Sequence, residues 1–456
     1  MKRVITYGTF DLFHQGHVNI LKRAKALGDY LVVGVTSENY DISRGKLNVS
    51  QSLIERIENV RKSGLADEII VEEYLGQKIN DIKKYNIDTF VIGSDWLNKF
   101  DYLKPFCEVV YLDRTQGVSS TDLRNEQNKI LKLGVVGNGR IAKRFIKESK
   151  FVSGVDIEFV FGRNPNTLQE FCKTFGLKKY YTNYEQFLNQ VDAVYIAVPH
   201  LQHYEYAKKA LLANKHVLCE KPITLSKEQT EELFKIANER HLIIQEAIKT
   251  AYAPCFEKLI SMAQSGIIGE IKDVEATFTK LVEDKTLREY NKELGGGSLT
   301  ELGSYPLCLI TKLLGTEPTD IKHFSYYDAE TGVDTFTKVL MTYPNAIATA
   351  NVGIGVKKEG NCVISGTKGY IYIPAPWWKT EYFEVRFEDL NKTQKIFTKF
   401  DGDGLRYEIA DFLKSINQGC KSYKLTEKES IFISNIIENT NSKKNDKGIK
   451  LEKIKV

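Results

Sequence analysis

The stretch that most constrains this chain is residues 130–142, ILKLGVVGNGRIA. An apolar run ends in the turn Gly137-Asn138-Gly139-Arg140-Ile141-Ala142, and the amphipathic segment RIAKRFIKES follows. A strand feeding a G-x-G-x-x-A turn and then a helix presents main-chain N–H groups and a helix N-terminus to a pyrophosphate. The glycines alone also describe an ordinary turn; the strand before and the helix after favour the phosphate reading. A dinucleotide-binding unit starts at its first strand. A complete unit is therefore expected before residue 128, and most of the remaining chain belongs to the second.

Length and composition bound the rest. The 456 residues allow two or three domains. A net charge of +5 is small for this size and argues against a nucleic-acid partner. The seven cysteines are scattered with no C-x-x-C pair, as expected of reduced thiols in a cytoplasmic enzyme. No apolar run is long enough to span a bilayer and no leader peptide is recognisable, so neither membrane insertion nor secretion is expected.

In residues 1–127, apolar runs (RVITYG, YLVVGVT, EIIVEE, TFVIG, EVVYLD) alternate with amphipathic segments such as VNILKRAKALG and QSLIERIENVRKSG. This pattern predicts an α/β unit with a parallel sheet wound by helices on both faces, and ligands at the carboxyl ends of the strands. At the first of those ends stands Tyr7-Gly8-Thr9-Phe10-Asp11-Leu12-Phe13-His14-Gln15-Gly16-His17. Histidines three apart at a helix start share one side, where both imidazoles can donate to phosphate oxygens. The alternatives are metal ligation, or one structural histidine capping the turn. Two histidines with no third ligand nearby make a poor zinc site.

The string GTFDLFHQGH resembles the H-x-G-H nucleotidyltransferases, and among them the glycerol-3-phosphate cytidylyltransferases. A second string, Arg114-Thr115-Gln116-Gly117-Val118-Ser119-Ser120-Thr121, is similar to the cytidylyltransferase signature R-T-x-G-[IV]-S-[ST]-[ST]. The resemblance implies that His14, His17, Lys46 and Arg114 stabilise an in-line attack on the α-phosphorus of CTP, with Mg²⁺ on the triphosphate. It places Gly8, Thr9, Phe10, Ser119, Ser120 and Thr121 on the nucleotide, and Asp95, in a G-x-D-W string, near the base. Arg56 is assigned to the substrate. Lys46 and Arg56 read equally as solvated surface charges, and Asp95 as a helix cap. No resident metal site is expected. Residues 121–132, TDLRNEQNKILK, read as a short, stiff, helical connection.

Residues 128–250 are expected to form a Rossmann domain and residues 251–456 an α/β substrate and oligomerisation domain. After the second strand, IEFVF, no acid is present to hold a ribose 2′-hydroxyl; Arg163 stands there instead, which favours NADP(H) over NAD(H) unless it merely stacks on adenine. The glycine turn, DAVYIAVP and the Glu220-Lys221-Pro222 string together resemble the glucose–fructose oxidoreductase and inositol dehydrogenase family. That likeness puts Gly137, Asn138, Gly139, Arg140, Ile141, Arg163, Pro199 and Glu220 on the cofactor. His200 stands where the family carries asparagine. Glu301 and Tyr305, four apart after a glycine-rich turn, match the family's acid and proton donor, with Glu301 beside the substrate. Tyr305 also reads as a tyrosine packed in a core helix. Lys221 is expected to lower the Tyr305 pKa so that the phenol protonates a carbonyl oxygen as NADPH delivers hydride. Lys249 replaces a family aromatic; it reads as a phosphate ligand on the substrate or as a surface lysine. Alternating runs from Ile271 onward predict a large, mostly antiparallel sheet. One face of that sheet joins a second subunit in the family, which implies a homodimer or higher homo-oligomer. The lysine-rich tail reads as a solvated, partly ordered end.

The expected protein is a bifunctional enzyme that makes a CDP-alditol, with CDP-glycerol foremost, for a capsule or cell-wall polymer. It would take CTP, a small alditol phosphate and a small carbonyl compound. The alternative keeps the cytidylyltransferase active and makes the oxidoreductase half a non-catalytic nucleotide-binding or dimerising module.

Overall fold

A computed structural model describes residues 1–43, 45–74, 76–113 and 130–442. Contacts divide it into two compact units: Met1–Leu131 with Ser149–Asp156, and Lys132–Glu148 with Ile157–Val456. Arg114, Ser119, Ser120, Thr121, most of the 121–132 connection and nearly all of the lysine-rich tail lie outside the described residues.

The first unit carries a five-stranded parallel sheet of β1 Arg3–Gly8, β2 Tyr30–Thr36, β3 Glu68–Glu72, β4 Thr89–Gly93 and β5 Glu108–Leu112, in the order β3-β2-β1-β4-β5. Helices α1 Gln15–Lys25, α2 Glu38–Ser43, α3 Leu53–Lys62 and α4 Gln77–Lys84 connect the strands. All five expected strands form. They are apolar on both faces because successive side chains leave opposite sides and helices cover each. Val4, Val33 and Val91 pack with Leu21 and Ala24 of α1, while Ile5, Val32 and Phe90 pack with Ile82 of α4. The strand order reverses between β1 and β4, and that reversal opens a crevice at their carboxyl ends.

The second unit begins with β6 Leu131–Val136 and α5 Arg140–Ser149; the two-residue β7, Val155–Asp156, falls with the first unit, and the second resumes with β8 Phe159–Phe161, α6 Pro165–Phe175, β9 Lys179–Tyr181 and α7 Tyr184–Leu188. It continues through β10 Ala193–Ile196, α8 His203–Leu212, β11 His216–Glu220, α9 Lys227–Glu239 and β12 Ile244–Ala247. Six of these strands run parallel in the order β12-β11-β10-β6-β8-β9, so the β6 turn lies at the centre of the sheet.

After α10 Lys249–Tyr252 and α11 Pro254–Gln264 comes an eight-stranded sheet. Its strands are β13 Ile271–Thr279, β14 Asp320–Tyr327, β15 Asp334–Thr342, β16 Ile347–Gly353, β17 Cys362–Gly366, β18 Tyr370–Ile373, β19 Tyr382–Arg386 and β20 Gln394–Phe397. The order is β14-β15-β16-β13-β17-β18-β19-β20. Every neighbouring pair is antiparallel except β13–β16. Helices α12 Ser298–Leu302 and α13 Ser304–Leu314 pack on one face, over Val274, Ala276, Ala350 and Ile364. On the other face, the strand registers align the exposed side chains Phe324, Tyr326, Ile347, Tyr370 and Phe397. Helices α14 Leu405–Gln418 and α15 Glu427–Ser442 complete the described chain. Among the described residues, no helix is long and apolar enough to cross a membrane.

Candidate active sites

In the first unit the loop from β1 to α1 is held in an unusual shape. Phe10 and Leu12 adopt φ of 54° and 47°, a region that non-glycine residues rarely occupy and that concentrates at functional sites. The loop ends in a reciprocal cap: the Gly16 N–H donates to His14 Nδ1 at 3.0 Å, and the His14 N–H donates to His17 Nδ1 at 3.3 Å. The rings stack with centroids 4.0 Å apart. Both Nδ1 atoms are therefore acceptors, so the proton of each neutral ring sits on Nε2. Neither Nε2 has a hydrogen-bond partner among the described residues. Burial holds His14 below the usual histidine range and His17 well below it; the neighbouring His14 and Lys46 push His17 in the same direction. The pair stands as two neutral N–H donors at a helix N-terminus. Capping and phosphate donation are thus compatible roles, one for each ring nitrogen.

The surrounding residues hold this loop. Asp11 accepts from the Ser50 and Gln51 N–H groups, each at 2.9 Å. Phe10 is buried with its ring edge-on to His17 at 5.4 Å, so its side chain supports the histidine instead of meeting a nucleotide. Arg56 is not a surface charge. It is fully buried, donating to the Thr9 and Thr36 carbonyls at 2.8 Å and to the Gln51 carbonyl at 3.1 Å, beside Asp41 at 3.5 Å. Its Nη2 has no partner among the described residues. Arg56 thereby ties the loops that leave β1 and β2. Thr9 donates to Asp41 at 3.1 Å, Lys46 is half-buried, and Asp95 lies in a 3₁₀ turn directly after β4.

In the second unit, Gly137 has φ 105°, and a Cβ there would come within 2.5 Å of the Ala197 carbonyl oxygen. A Cβ on Gly139 would meet nothing within 4 Å. The turn is closed against the sheet at one glycine and open above the other, as a pyrophosphate cradle requires. Asn138 donates to Thr167 Oγ1 at 3.0 Å, and Arg140 pairs with Glu289 at 2.9 Å. Arg163 is exposed just past β8, next to Asn164, which caps α6. Pro199 leads into a 3₁₀ turn that carries His200. Glu220 ends β11 and accepts from the Tyr195 hydroxyl at 2.6 Å.

A cavity of 170 Å³ is lined by Glu220, Lys221, Lys249, His200, Arg288 and Tyr305, with Ile141 among its other walls. Lys221, preceding a cis proline, donates to the Glu301 carbonyl at 2.7 Å, and its ammonium lies 5.8 Å from the Tyr305 ring centroid. The expected lowering of the Tyr305 pKa is overturned. Burial pushes the phenol far up, and Glu220, Glu408 and Glu301 push the same way. Glu301 does not line the cavity. Its carboxylate accepts from His200 Nε2 at 3.0 Å and from Arg288 at 2.9 Å. Burial opposes its ionisation, yet His200, Lys221 and Arg288 hold its pKa at about 2. The helix carrying Glu301 and Tyr305 pauses at Gly303, whose backbone stays helical. Two residues that sequence reasoning missed complete the site. Arg288 comes from a short 3₁₀ turn with no sequence signal of its own. Glu408 is sealed inside α14 with neither carboxyl oxygen partnered among the described residues.

Comparisons agree with this division. Residues 5–126 match a family described as cytidylyltransferase-like. Residues 131–248 match an oxidoreductase family with an NAD-binding Rossmann fold, and residues 256–372 match the GFO/IDH/MocA C-terminal domain. A glycerol-3-phosphate cytidylyltransferase of Bacillus spizizenii is 50% identical over 126 residues, which is 28% of this chain and 97% of that protein. A trans-1,2-dihydrobenzene-1,2-diol dehydrogenase of Oryctolagus cuniculus is 29% identical over 315 residues, covering 67% of this chain and 95% of that protein. A solved 3-ketoreductase from Actinomadura kijaniata, in complex with NADP and TDP-benzene, superposes with a TM-score of 0.62 at 23% identity. That superposition covers 68% of this chain and 97% of the other.

Proposed function

Because the chain belongs to the cytidylyltransferase-like family in its first part and to the GFO/IDH/MocA oxidoreductases in the rest, we propose that it is a bifunctional enzyme making a CDP-alditol. The division runs 1–127 for cytidylyl transfer, 128–250 for the nicotinamide nucleotide and 251–456 for the carbonyl substrate and self-association. The observation that carries the reading is the paired His14 and His17 cap, which leaves two neutral Nε2–H donors at the start of α1. Glycerol phosphate is the foremost acceptor, since the relatives at about half identity are glycerol-3-phosphate cytidylyltransferases.

In the first half-reaction an alditol phosphate oxygen attacks the α-phosphorus of CTP and pyrophosphate leaves. His14 and His17 donate to the phosphate oxygens on which charge builds, and Lys46 and Arg114 balance it. Gly8 and Thr9 line the loop that meets the nucleotide, with Asp95 near the base and Ser119, Ser120 and Thr121 on the triphosphate. Mg²⁺, bound through the phosphates of CTP, would supply further charge neutralisation. Arg56 fixes the loops from within.

In the second, the glycine turn and α5 would hold the pyrophosphate of NADPH, and exposed Arg163 suits its 2′-phosphate; the bound cofactor supplies hydride. Tyr305 keeps its proton until the carbonyl oxygen needs it, as its raised pKa requires. Lys221, held by the Glu301 carbonyl, orients toward the same oxygen. The product is an alditol or its phosphate. The destination of the nucleotide product, a capsule or cell-wall polymer, rests on the pairing of the two families. The exposed aromatic and aliphatic side chains on the outer face of the eight-stranded sheet suit a second copy of the chain.

A second reading is favoured by one observation: the Lys221 ammonium engages a main-chain carbonyl and not the Tyr305 hydroxyl. The oxidoreductase half would then bind nucleotide without turnover. Pyrophosphate release from CTP with glycerol or pentitol phosphates tests the first half. Silence with all of these, together with turnover of ATP and FMN, would overturn it. NADPH oxidation over a panel of keto sugars and their phosphates tests the second; cofactor binding without turnover, unchanged by Tyr305→Phe, would favour the module.

A further inference from the structure

The cavity of the second unit carries more positive charge than its carboxylates neutralise. Lys221, Lys249 and Arg288 line it. The carboxylates in reach are either shared with other groups or pushed by burial toward the neutral form. Glu301 is ionised and shared by Arg288 and His200. Glu220 accepts from Tyr195, and burial pushes its carboxyl up. Asp403 pairs with Lys379 at 3.2 Å and Arg144 at 3.7 Å. Glu408 is sealed in α14, where burial and then Glu220 push its carboxyl well up and Lys249 pulls the other way. Lys221 is held by a main-chain carbonyl. Lys249, the first residue of α10, remains half-buried on the cavity wall with no hydrogen bond or ion pair among the described residues. An ammonium withdrawn from water without a partner is costly, and it gains most from an incoming anion.

We infer that Lys249 anchors a phosphate group on the carbonyl substrate, an inference that rests on the reading of this unit as a reductase. Three cations against one firmly ionised carboxylate suit a phosphate monoester, which carries about −1.5 to −2 charges near neutral pH, better than a singly charged carboxylate. A phosphate can arrive on a small sugar phosphate or within a CDP-linked carbonyl. The 170 Å³ cavity is smaller than the roughly 300–1,000 Å³ of drug-sized pockets, which favours the small sugar phosphate.

The test is reductive methylation of the full chain, with the extent of modification at Lys249 read by peptide mass spectrometry. Inorganic phosphate and glycerol phosphate should protect Lys249, and glycerol should not. Equal labelling in all cases overturns the anchor. Protection by CDP-glycerol alone overturns the small-substrate assignment. In turnover, Lys249→Met should lower the ratio of kcat/KM for a phosphorylated ketose over its unphosphorylated counterpart by about 10–100-fold, and Lys249→Arg should restore most of it. Reduction of unphosphorylated carbonyls with no such preference overturns the anchor but leaves the reductase reading standing. Protection without turnover of any carbonyl keeps Lys249 as a phosphate-binding residue but overturns its place on a reductase substrate, together with the reductase reading. NADPH binding by each variant, followed by fluorescence, verifies that it is folded.

Discussion

His200 Nε2 donates to Glu301 Oε1 over 3.0 Å, joining residues 101 positions apart in the chain. The carboxylate is ionised and can only accept, so the ring proton is on Nε2. The same residue receives Arg288 on its carboxylate and Lys221 on its carbonyl. Glu301 therefore organises three groups on the cavity wall without lining the cavity itself. His200→Asn or Glu301→Asp alone should each lose about 1.5–3 kcal/mol of stability, the worth of a hydrogen bond to a charged group. The double variant should cost less than the sum by about 0.5–3 kcal/mol. Urea unfolding of the full chain measures both, and strict additivity would show that the contact carries no energy.

The two nitrogens of His14 have separable tasks. His14→Ser keeps a side-chain cap on α1, so its unfolding midpoint should stay close to that of the parent. Cytidylyl transfer should nonetheless fall by about 10²–10³ because a phosphate donor is gone. His14→Ala should add a loss of about 0.5–2 kcal/mol on top of the same loss of rate. Comparison of pyrophosphate release with thermal melting separates the two.

Stability below neutrality depends on the depressed histidines. A histidine held below its unfolded pKa favours folding above about pH 6.5, and that contribution drains away as pH falls toward the folded value. Glu246 has the opposite sign. Burial pushes its pKa up to about 7, so its contribution is present below about pH 4.5 and is lost as pH rises through 7. Glu246→Gln, which keeps an acceptor for the Ile223 N–H, should match the parent near pH 5 and exceed it by about 2–4 kcal/mol near pH 8. Denaturation curves at the two pH values check this; equal stability at both would show that Glu246 ionises freely.

Arg163 should set cofactor choice. Replacing it with Ala should lower the preference for NADPH over NADH by about 10–100-fold, the worth of a charge-assisted contact to phosphate. Titration of both cofactors by fluorescence quenching reads the ratio without any need for turnover.

The outer face of the eight-stranded sheet should set the assembly. Phe324→Lys with Tyr326→Lys places two charges on an exposed edge strand and should leave the melting profile of the monomer intact while abolishing self-association. Light scattering gives the mass. A parent that is already monomeric would remove that role from the sheet.

Much of this was legible in the residues. Buried parallel strands are continuous apolar runs, so β1 to β5 could be read directly, and the alternation after Ile271 announced the large sheet. Glycine turns declare themselves because close backbone approach admits nothing larger, as Gly137 against Ala197 shows. Contacts made by long polar side chains across the fold were not legible. Arg56 looks like any helix-face arginine until the loops from β1 and β2 close over it. The Tyr305 environment depends on Glu220, Glu301 and Glu408 converging from distant elements, and no local spacing records that. His200 was visible as a departure from a family pattern, but its partner was not.

The single parallel pair in the large sheet has a consequence for how the chain is made. Strand β13 lies beside β16, and the stretch between them includes β14 and β15. Its first residue leaves the ribosome with neither neighbour yet synthesised, since β17 is later still. At about 5–20 residues per second, that segment waits several seconds before its edges can be satisfied. Pairings between such distant segments form slowly, so nascent chains stalled in this window are where aggregation during expression should concentrate.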